Sequence, residues 1–258
     1  MGVIVVSGTG TEIGKTVVTA AVAAAAIARG RTVAVLKPAQ TGLSHGEPGD
    51  AEEAARLAGP GVTGTELARF PEPLAPATAA RRAGLAPVAP HEVAEAAAKL
   101  TEEHDLVLVE GAGGLLVRLD GQGGTLADAA RLLGAPVLVV APAGLGTLNA
   151  TALTTEALRS RSLDPLGIVV GSWPAAPDLA ARCNLADLPE SAGAALLGAV
   201  PEGAGSLAPE AFRAAAPTWL APVLGGSWDG EAFTETFAAQ SAAGSAAGSA
   251  AERGTAGR

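Results

Sequence analysis

Short runs of aliphatic and β-branched residues recur along the chain, at Val3 to Val6, Thr32 to Leu36, Leu106 to Val109, Val137 to Ala141, Leu166 to Val170 and Leu197 to Val200. Between them the apolar positions spread out at helical spacing. Uninterrupted apolar runs, in place of strict alternation, describe parallel strands covered on both faces. The pattern predicts one α/β domain, a mostly parallel sheet with right-handed crossovers and helices on both faces. Ligands of such sheets bind beyond the carboxyl ends of the strands. The residues that close each run therefore matter most.

Two regions break the rhythm. The stretch from Leu43 to Pro90 is rich in Pro and Gly and offers one short helix, roughly Asp50 to Leu57. From about Glu231 the chain passes into Ser-Ala-Ala-Gly repeats that end at Arg258, too poor in large apolar residues to order themselves. The expected division is a domain over 1–230 and a disordered tail over 231–258. The alanine-rich stretch from Val17 to Ala28 lacks a basic start and reads as a helix packed on the sheet rather than a signal peptide.

Composition narrows the chemistry. With 258 residues, 48% of them apolar, the chain can bury a sizeable core, and no apolar run approaches the roughly 18 residues of a membrane span. A cytoplasmic protein is expected. The formal net charge of −9 and the lack of any basic run argue against a nucleic-acid partner. Cys183 is the sole cysteine, and His45, His91 and His104 are scattered without ligand spacing. Any metal should then be a hard cation on oxygen ligands, which suits Mg²⁺.

The first run leads into Gly8-Thr9-Gly10-Thr11-Glu12-Ile13-Gly14-Lys15-Thr16-Val17. Glycines allow successive backbone N–H groups to converge on phosphates, and the following helix N-terminus adds partial positive charge. Lys15 is suited to the outer phosphates and the Thr16 hydroxyl to Mg²⁺. This strand–loop–helix order predicts a single-domain P-loop NTPase fold that binds a nucleoside triphosphate. The usual pattern leaves four residues before Gly-Lys-Thr; here five separate Gly8 from Gly14.

Three later strand ends carry polar residues. Lys37-Pro38-Ala39-Gln40-Thr41-Gly42 closes the second run, where Pro38 stops any helical continuation and holds the loop extended. Glu110-Gly111-Ala112-Gly113-Gly114 closes the third, with an acidic residue placed as a Mg²⁺ partner and glycines that permit close backbone approach. Asp50 can be a helix N-cap or a third Mg²⁺ oxygen, and Asp128 is read as structural. The segment Gly144-Leu145-Gly146-Thr147-Leu148-Asn149 opens a helix whose free N–H groups suit a carboxylate.

Taken together, the Thr11-Glu12-Ile13-Gly14-Lys15-Thr16 loop, Lys37-Pro38, Thr41-Gly42, Glu110-Gly111-Ala112-Gly113-Gly114 and Leu145-Gly146-Thr147-Leu148-Asn149 resemble the dethiobiotin synthetases, from residue 2 to about residue 224. The longer phosphate loop is a feature of that family. The resemblance implies a ligase that joins CO2, as gas or bicarbonate, to the two amines of 7,8-diaminononanoate. A carbamate forms, ATP phosphorylates it, and ring closure releases phosphate beside ADP. It further implies that Lys37, Lys15 and Thr11 serve the reaction, and that Thr16, Asp50 and Glu110 hold Mg²⁺. Glu12, Thr41 and Gly111 would approach the diamine. The nucleotide would lie along the 12–17 loop and the 110–113 turn, with Gly171-Ser172 and Pro201-Glu202-Gly203 at the base. A homodimer is implied, with the substrate's carboxylate tail at Gly146, Thr147, Leu148 and Asn149 of the neighbouring subunit.

Two departures from the family pattern matter. Gly144 stands where some relatives carry lysine before Leu-Gly, and Gly171-Ser172 where relatives often carry Asn-Asp to grip adenine. Weak selectivity among triphosphates is the expectation. The competing class is the partitioning and cluster-assembly ATPases, which share the fold and act as dimerisation switches. Their signature lysine, five residues before the phosphate-loop lysine, is Gly10 here. A cobyrinate-type amide ligase would need a glutaminase cysteine, and Cys183 lies in no such pattern.

Overall fold

The computed structural model describes residues 2–44 and 46–237. Seven strands form one sheet: β1 (Val3–Gly8), β2 (Val33–Thr41), β3 (Val62–Phe70), β4 (Leu106–Glu110), β5 (Val137–Ala141), β6 (Pro165–Trp173) and β7 (Leu196–Pro201). Their order is β3-β2-β4-β1-β5-β6-β7, and every pairing is parallel. The helices are α1 (Lys15–Ile27), α2 (Asp50–Ala58), α3 (Pro76–Ala83), α4 (Pro90–Leu100), α5 (Leu126–Leu133), α6 (Thr147–Arg159), α7 (Leu179–Ala192) and α8 (Pro209–Ala215). The connection from β1 leaves toward β2 and that from β5 toward β6, in opposite directions across the sheet, so a crevice opens beyond the carboxyl end of β1.

Consecutive residues of each central strand bury on opposite faces. Ile4 and Val6 join α1, α2 and α8 in one core, while Val5 joins α4 and α5 in another. This is why the runs read as continuous rather than alternating. Helix α1 is buried nearly all round, with residues from Lys15 to Ala26 enclosed between the sheet and its neighbours. Alanine is the side chain small enough for such close approach, so the 17–28 stretch is the central helix of one layer.

Three expectations are corrected. Strand β2 does not end with the apolar run at Leu36: the segment read as an extended loop continues the strand to Thr41. Its pairing with β4 ends at Leu36, and beyond that point it pairs with β3 alone, skipping Pro38. Proline is tolerated where one edge is open. The 43–90 region holds not one helix but α2, β3 and α3. Finally, the segment read as tail begins with order: residues 230–237 are helical, with Phe233 and Phe237 packed on Trp173 at centroid distances of 5.5 and 5.0 Å. The rest of that expected tail lies outside the described residues. Among the described residues no helix is long and apolar enough to cross a membrane.

Candidate functional site

Beyond the carboxyl ends of β1, β2 and β4 lies a cavity of about 810 Å³. One wall is the phosphate loop. Gly14 caps α1 in the left-handed region, at φ 89°, and its backbone packs so closely on β6 that a Cβ would fall 2.3 Å from the Gly171 carbonyl oxygen. Glycine is needed there for both conformation and space. Thr11 and Glu12 form the exposed tip, with Glu12 at φ 57°. Ile13, Gly14, Lys15, Thr16 and Val17 continue the wall. The Lys15 ammonium donates to the Gly10 carbonyl at 2.7 Å. Burial and the nearby Lys37 charge hold its pKa below the usual lysine range. An anion in the loop would reverse that shift.

The floor is a compact ionic cluster. The Lys37 ammonium, buried, lies 2.5 Å from Asp50 Oδ2 and 3.0 Å from Glu110 Oε1, and donates to the Gly111 carbonyl at 3.1 Å. Burial alone would lower its pKa, but Glu110 and Asp50 outweigh it and raise the value. The Thr16 hydroxyl donates to the same Glu110 Oε1 at 2.9 Å. Glu110 Oε2 is buried and has no hydrogen-bond partner. A hydroxyl and two carboxylates, one of them with an orphaned buried oxygen, make a hard, all-oxygen donor set that suits Mg²⁺. Asp50 is the first residue of α2 while Gly49 is its N-cap, so the carboxylate serves the cluster and not the helix end. Asp128, in contrast, accepts from the Thr125 N–H and hydroxyl at 2.9 and 2.7 Å and closes a capping box.

Thr41, Ala112 and Gly113 also line the cavity, and Gly113 faces Thr11 closely enough that a Cβ would approach its hydroxyl at 3.5 Å. Sequence reasoning missed the polar Gln40 and the apolar Leu43, Val117 and turn from Pro73 to Pro76, which also line the cavity. Gln40 is buried, and its amide oxygen accepts from the Asp50 N–H at 2.9 Å.

The remaining expected residues lie outside the cavity. Gly171 is buried behind the loop, and a Cβ there would meet the Ile13 carbonyl oxygen at 2.0 Å. Ser172, Pro201, Glu202 and Gly203 are exposed, and the Glu202 N–H ties the two segments by donating to the Trp173 carbonyl at 2.7 Å. Gly146 caps α6 at φ 93°. Thr147 is buried under it, Asn149 is exposed, and neighbouring Leu145 is 93% exposed. Asn184 on α7 fixes that loop through the carbonyls of Ala143 and Gly144, at 2.8 and 3.0 Å.

A parallel sheet whose connections leave β1 and β5 in opposite directions, with a glycine-rich loop feeding α1 and an acidic strand end beside it, defines a phosphate-loop NTPase. In agreement, residues 3–210 match the family described as AAA domain. Two solved structures share the fold: a ParA family ATPase from Chlorobium tepidum, with TM-score 0.52, 14% identity, and coverage of 82% of this chain and 90% of that one, and the septum site-determining protein MinD with Mg-ADP from Pyrococcus horikoshii, with TM-score 0.51, 17% identity, and coverage of 84% and 94%. At such identities the likeness is one of fold. Sequence relatives are far nearer. The ATP-dependent dethiobiotin synthetase BioD of Streptomyces avermitilis is 71% identical over 237 residues, 92% of this chain and 99% of the relative. That of Streptomyces coelicolor is 72% identical over 233 residues, 90% and 98%. The chain belongs to the dethiobiotin synthetases, a family of ATP-dependent ligases.

Proposed function

We propose that the chain closes the ureido ring of dethiobiotin on 7,8-diaminononanoate, using CO2 and a nucleoside triphosphate. The observation that carries this reading is the pair of ammonium groups, Lys15 and Lys37, on one cavity with Thr16, Asp50 and Glu110. One amine of the diamine adds to CO2 and loses a proton, giving a carbamate. A carbamate oxygen then attacks the γ-phosphorus, ADP leaves, and a carbamic-phosphoric anhydride results. The second amine attacks the carbonyl carbon, the C–O bond to phosphate breaks, and the ring closes. In the second step two anions must meet, so cations have to offset their repulsion.

Lys15 binds the outer phosphates, and Lys37 holds the carbamate against the terminal phosphoryl. Thr16, Asp50 and Glu110 would hold Mg²⁺, which supplies charge neutralisation on the phosphates. Thr11 and Glu12 stand at the loop tip, where the diamine and phosphates meet. Thr41 and the backbone of Gly111 orient the amine end. In a homodimer, Gly146 to Asn149 of the second subunit would receive the carboxylate tail, consistent with the exposure of Gly146 and Asn149 and with a cavity that none of the four lines in this chain.

Purified protein with diaminononanoate, bicarbonate, Mg²⁺ and ATP should release phosphate in proportion to diamine. Release that ignores the diamine would favour a switch ATPase instead.

The base site supports a second expectation. Position 171 presents no side chain, and the loop's approach leaves no room for one. Without an asparagine to read a base edge, CTP, GTP and UTP should also support turnover. Comparison of kcat/KM for the four triphosphates checks this; an ATP preference above about a hundredfold, or about 2.7 kcal/mol, would contradict it.

A further inference from the structure

Asp50 reaches the ionic cluster from an unusual support. The residues that lead to it, 42–44 and 46–49, form no helix or strand, and Gly42 and Gly46 adopt φ values of 80° and 88°. Such a connection has little intrinsic stiffness. Yet it links Thr41 on the cavity wall to a carboxylate set 2.5 Å from Lys37. Its order must come from outside.

Two residues of β2 grip Asp50 from the cavity side: Lys37 by its side chain, and Gln40 through the Asp50 N–H. Their ladder partners on edge strand β3 are Glu66 and Arg69. Both reach the connection from behind. Glu66 Oε1 lies directly under Gly49, where a Cβ would come within 1.8 Å of it. Arg69 donates through Nε and one terminal nitrogen to both Glu66 oxygens, at 2.9 and 2.8 Å. Its other terminal nitrogen donates to the backbone carbonyls of Glu47 at 2.5 Å and Ser44 at 3.3 Å. The planar fork thus fixes the carboxylate and the loop carbonyls in one geometry, which a lysine's point charge cannot reproduce. The pair borders a separate cavity of about 360 Å³ on the outer edge, so it is not part of either hydrophobic core.

We propose that Arg69, oriented by Glu66, is a positioning residue for Asp50: it sets the loop that aims this carboxylate, and thereby tunes metal and diamine use without touching either. The metal role of Asp50 rests on the function proposed above. Loss of the fork should let Asp50 drift while the phosphate loop stays intact. The expected signature is a split between metal and nucleotide.

The test uses Arg69→Ala, Arg69→Lys and Glu66→Gln in the full chain. Mn²⁺ affinity would be measured by electron paramagnetic resonance with a non-hydrolysable ATP analogue bound. Nucleotide affinity without metal, thermal midpoint and the Mg²⁺ dependence of diamine-driven phosphate release complete the set. Arg69→Ala and Arg69→Lys should each weaken Mn²⁺ binding and raise half-saturating Mg²⁺ at least fivefold, with metal-free nucleotide affinity within twofold of wild type. Glu66→Gln should give a smaller shift of the same kind. Unchanged Mn²⁺ affinity in Arg69→Ala, or an equal loss of metal-free nucleotide affinity, would overturn the assignment. A wild type that binds Mn²⁺ yet releases no diamine-dependent phosphate would sink the proposed reaction and leave the positioning role standing on the metal data.

Discussion

Replacing Lys37 by methionine will abolish turnover and lower the thermal midpoint, and Mg²⁺ will restore only the second. The ammonium lies buried between Asp50 and Glu110 and is the cation that offsets them in the metal-free protein. Methionine keeps the unbranched stem, one heavy atom shorter, and removes the charge. Breaking a buried pair by deleting one partner costs about 3–5 kcal/mol. Asp50 is about a third exposed and Thr16 still donates to Glu110, so the lower end, about 3 kcal/mol, is expected. For a domain of this size that is a fall of about 6–12 °C. On the metal role proposed above, Mg²⁺ would bind the folded state alone and should recover much of the loss at saturating concentration. Wild type, whose carboxylates already hold a cation, should respond far less to Mg²⁺ without nucleotide.

Turnover should fall by at least about a thousandfold, since in the proposed reaction Lys37 is the group that meets the developing negative charge. The pH sign is also fixed. The folded pKa of Lys37 is raised, because Glu110 and Asp50 outweigh burial. Its contribution to stability is therefore complete below the ordinary lysine range, near about pH 10.4, and is lost only as pH climbs through the raised value. The stability gap between wild type and Lys37→Met should stay flat from about pH 6 to 9 as far as Lys37 itself is concerned. Calorimetry with and without Mg²⁺, beside phosphate release, decides: an unshifted midpoint or a variant that turns over would refute the assignment.

What the sequence reveals follows the physics of burial. Six strands are legible because both faces are covered, so each reads as an apolar run. Strand β3 is not, because its faces, unlike those of the other edge strand β7, are largely uncovered, and it spells Val-Thr-Gly-Thr-Glu-Leu-Ala-Arg-Phe. Helix α3 did carry signals, Pro76 at its first turn and Gly84 as its left-handed cap, but they sat in a stretch dominated by Pro and Gly. In the site, Lys37 and Glu110 announce themselves as polar residues closing apolar runs, and Lys15 by the glycine-rich loop that precedes it. Gln40, Glu66 and Arg69 do not, since each acts through a backbone segment that only the folded ladder brings near. Phe233 and Phe237, four residues apart, marked a helical face that the repeats after them obscured. Gly171 was legible only as a missing side chain, not as the reason for its absence.

That reason makes Gly171→Ala the second large effect. Its Cβ would lie 2.0 Å from the Ile13 carbonyl oxygen and 2.6 Å from Val140 Cγ1. Backbone cannot rotate away as a flexible side-chain tip can, so either β6 or the phosphate loop must move. The loop is the softer of the two: β6 is held by β5 on one side and β7 on the other, while the 9–14 segment lies outside helix and strand. Displacing Ile13 and Gly14 disturbs the N–H groups that would receive the phosphates and the start of α1. Overpacking of this kind costs about 1–3 kcal/mol in stability. Nucleotide affinity should fall more steeply, by at least tenfold, because the strain falls on the binding geometry itself. Gly144→Ala, at a glycine with open space around it, provides the control and should leave nucleotide affinity unchanged. Titration of both variants with a fluorescent triphosphate, alongside their thermal midpoints, separates the outcomes. If Gly171→Ala binds nucleotide as wild type does, the loop is not seated on β6, and the space available at position 171 has no bearing on how the base is read.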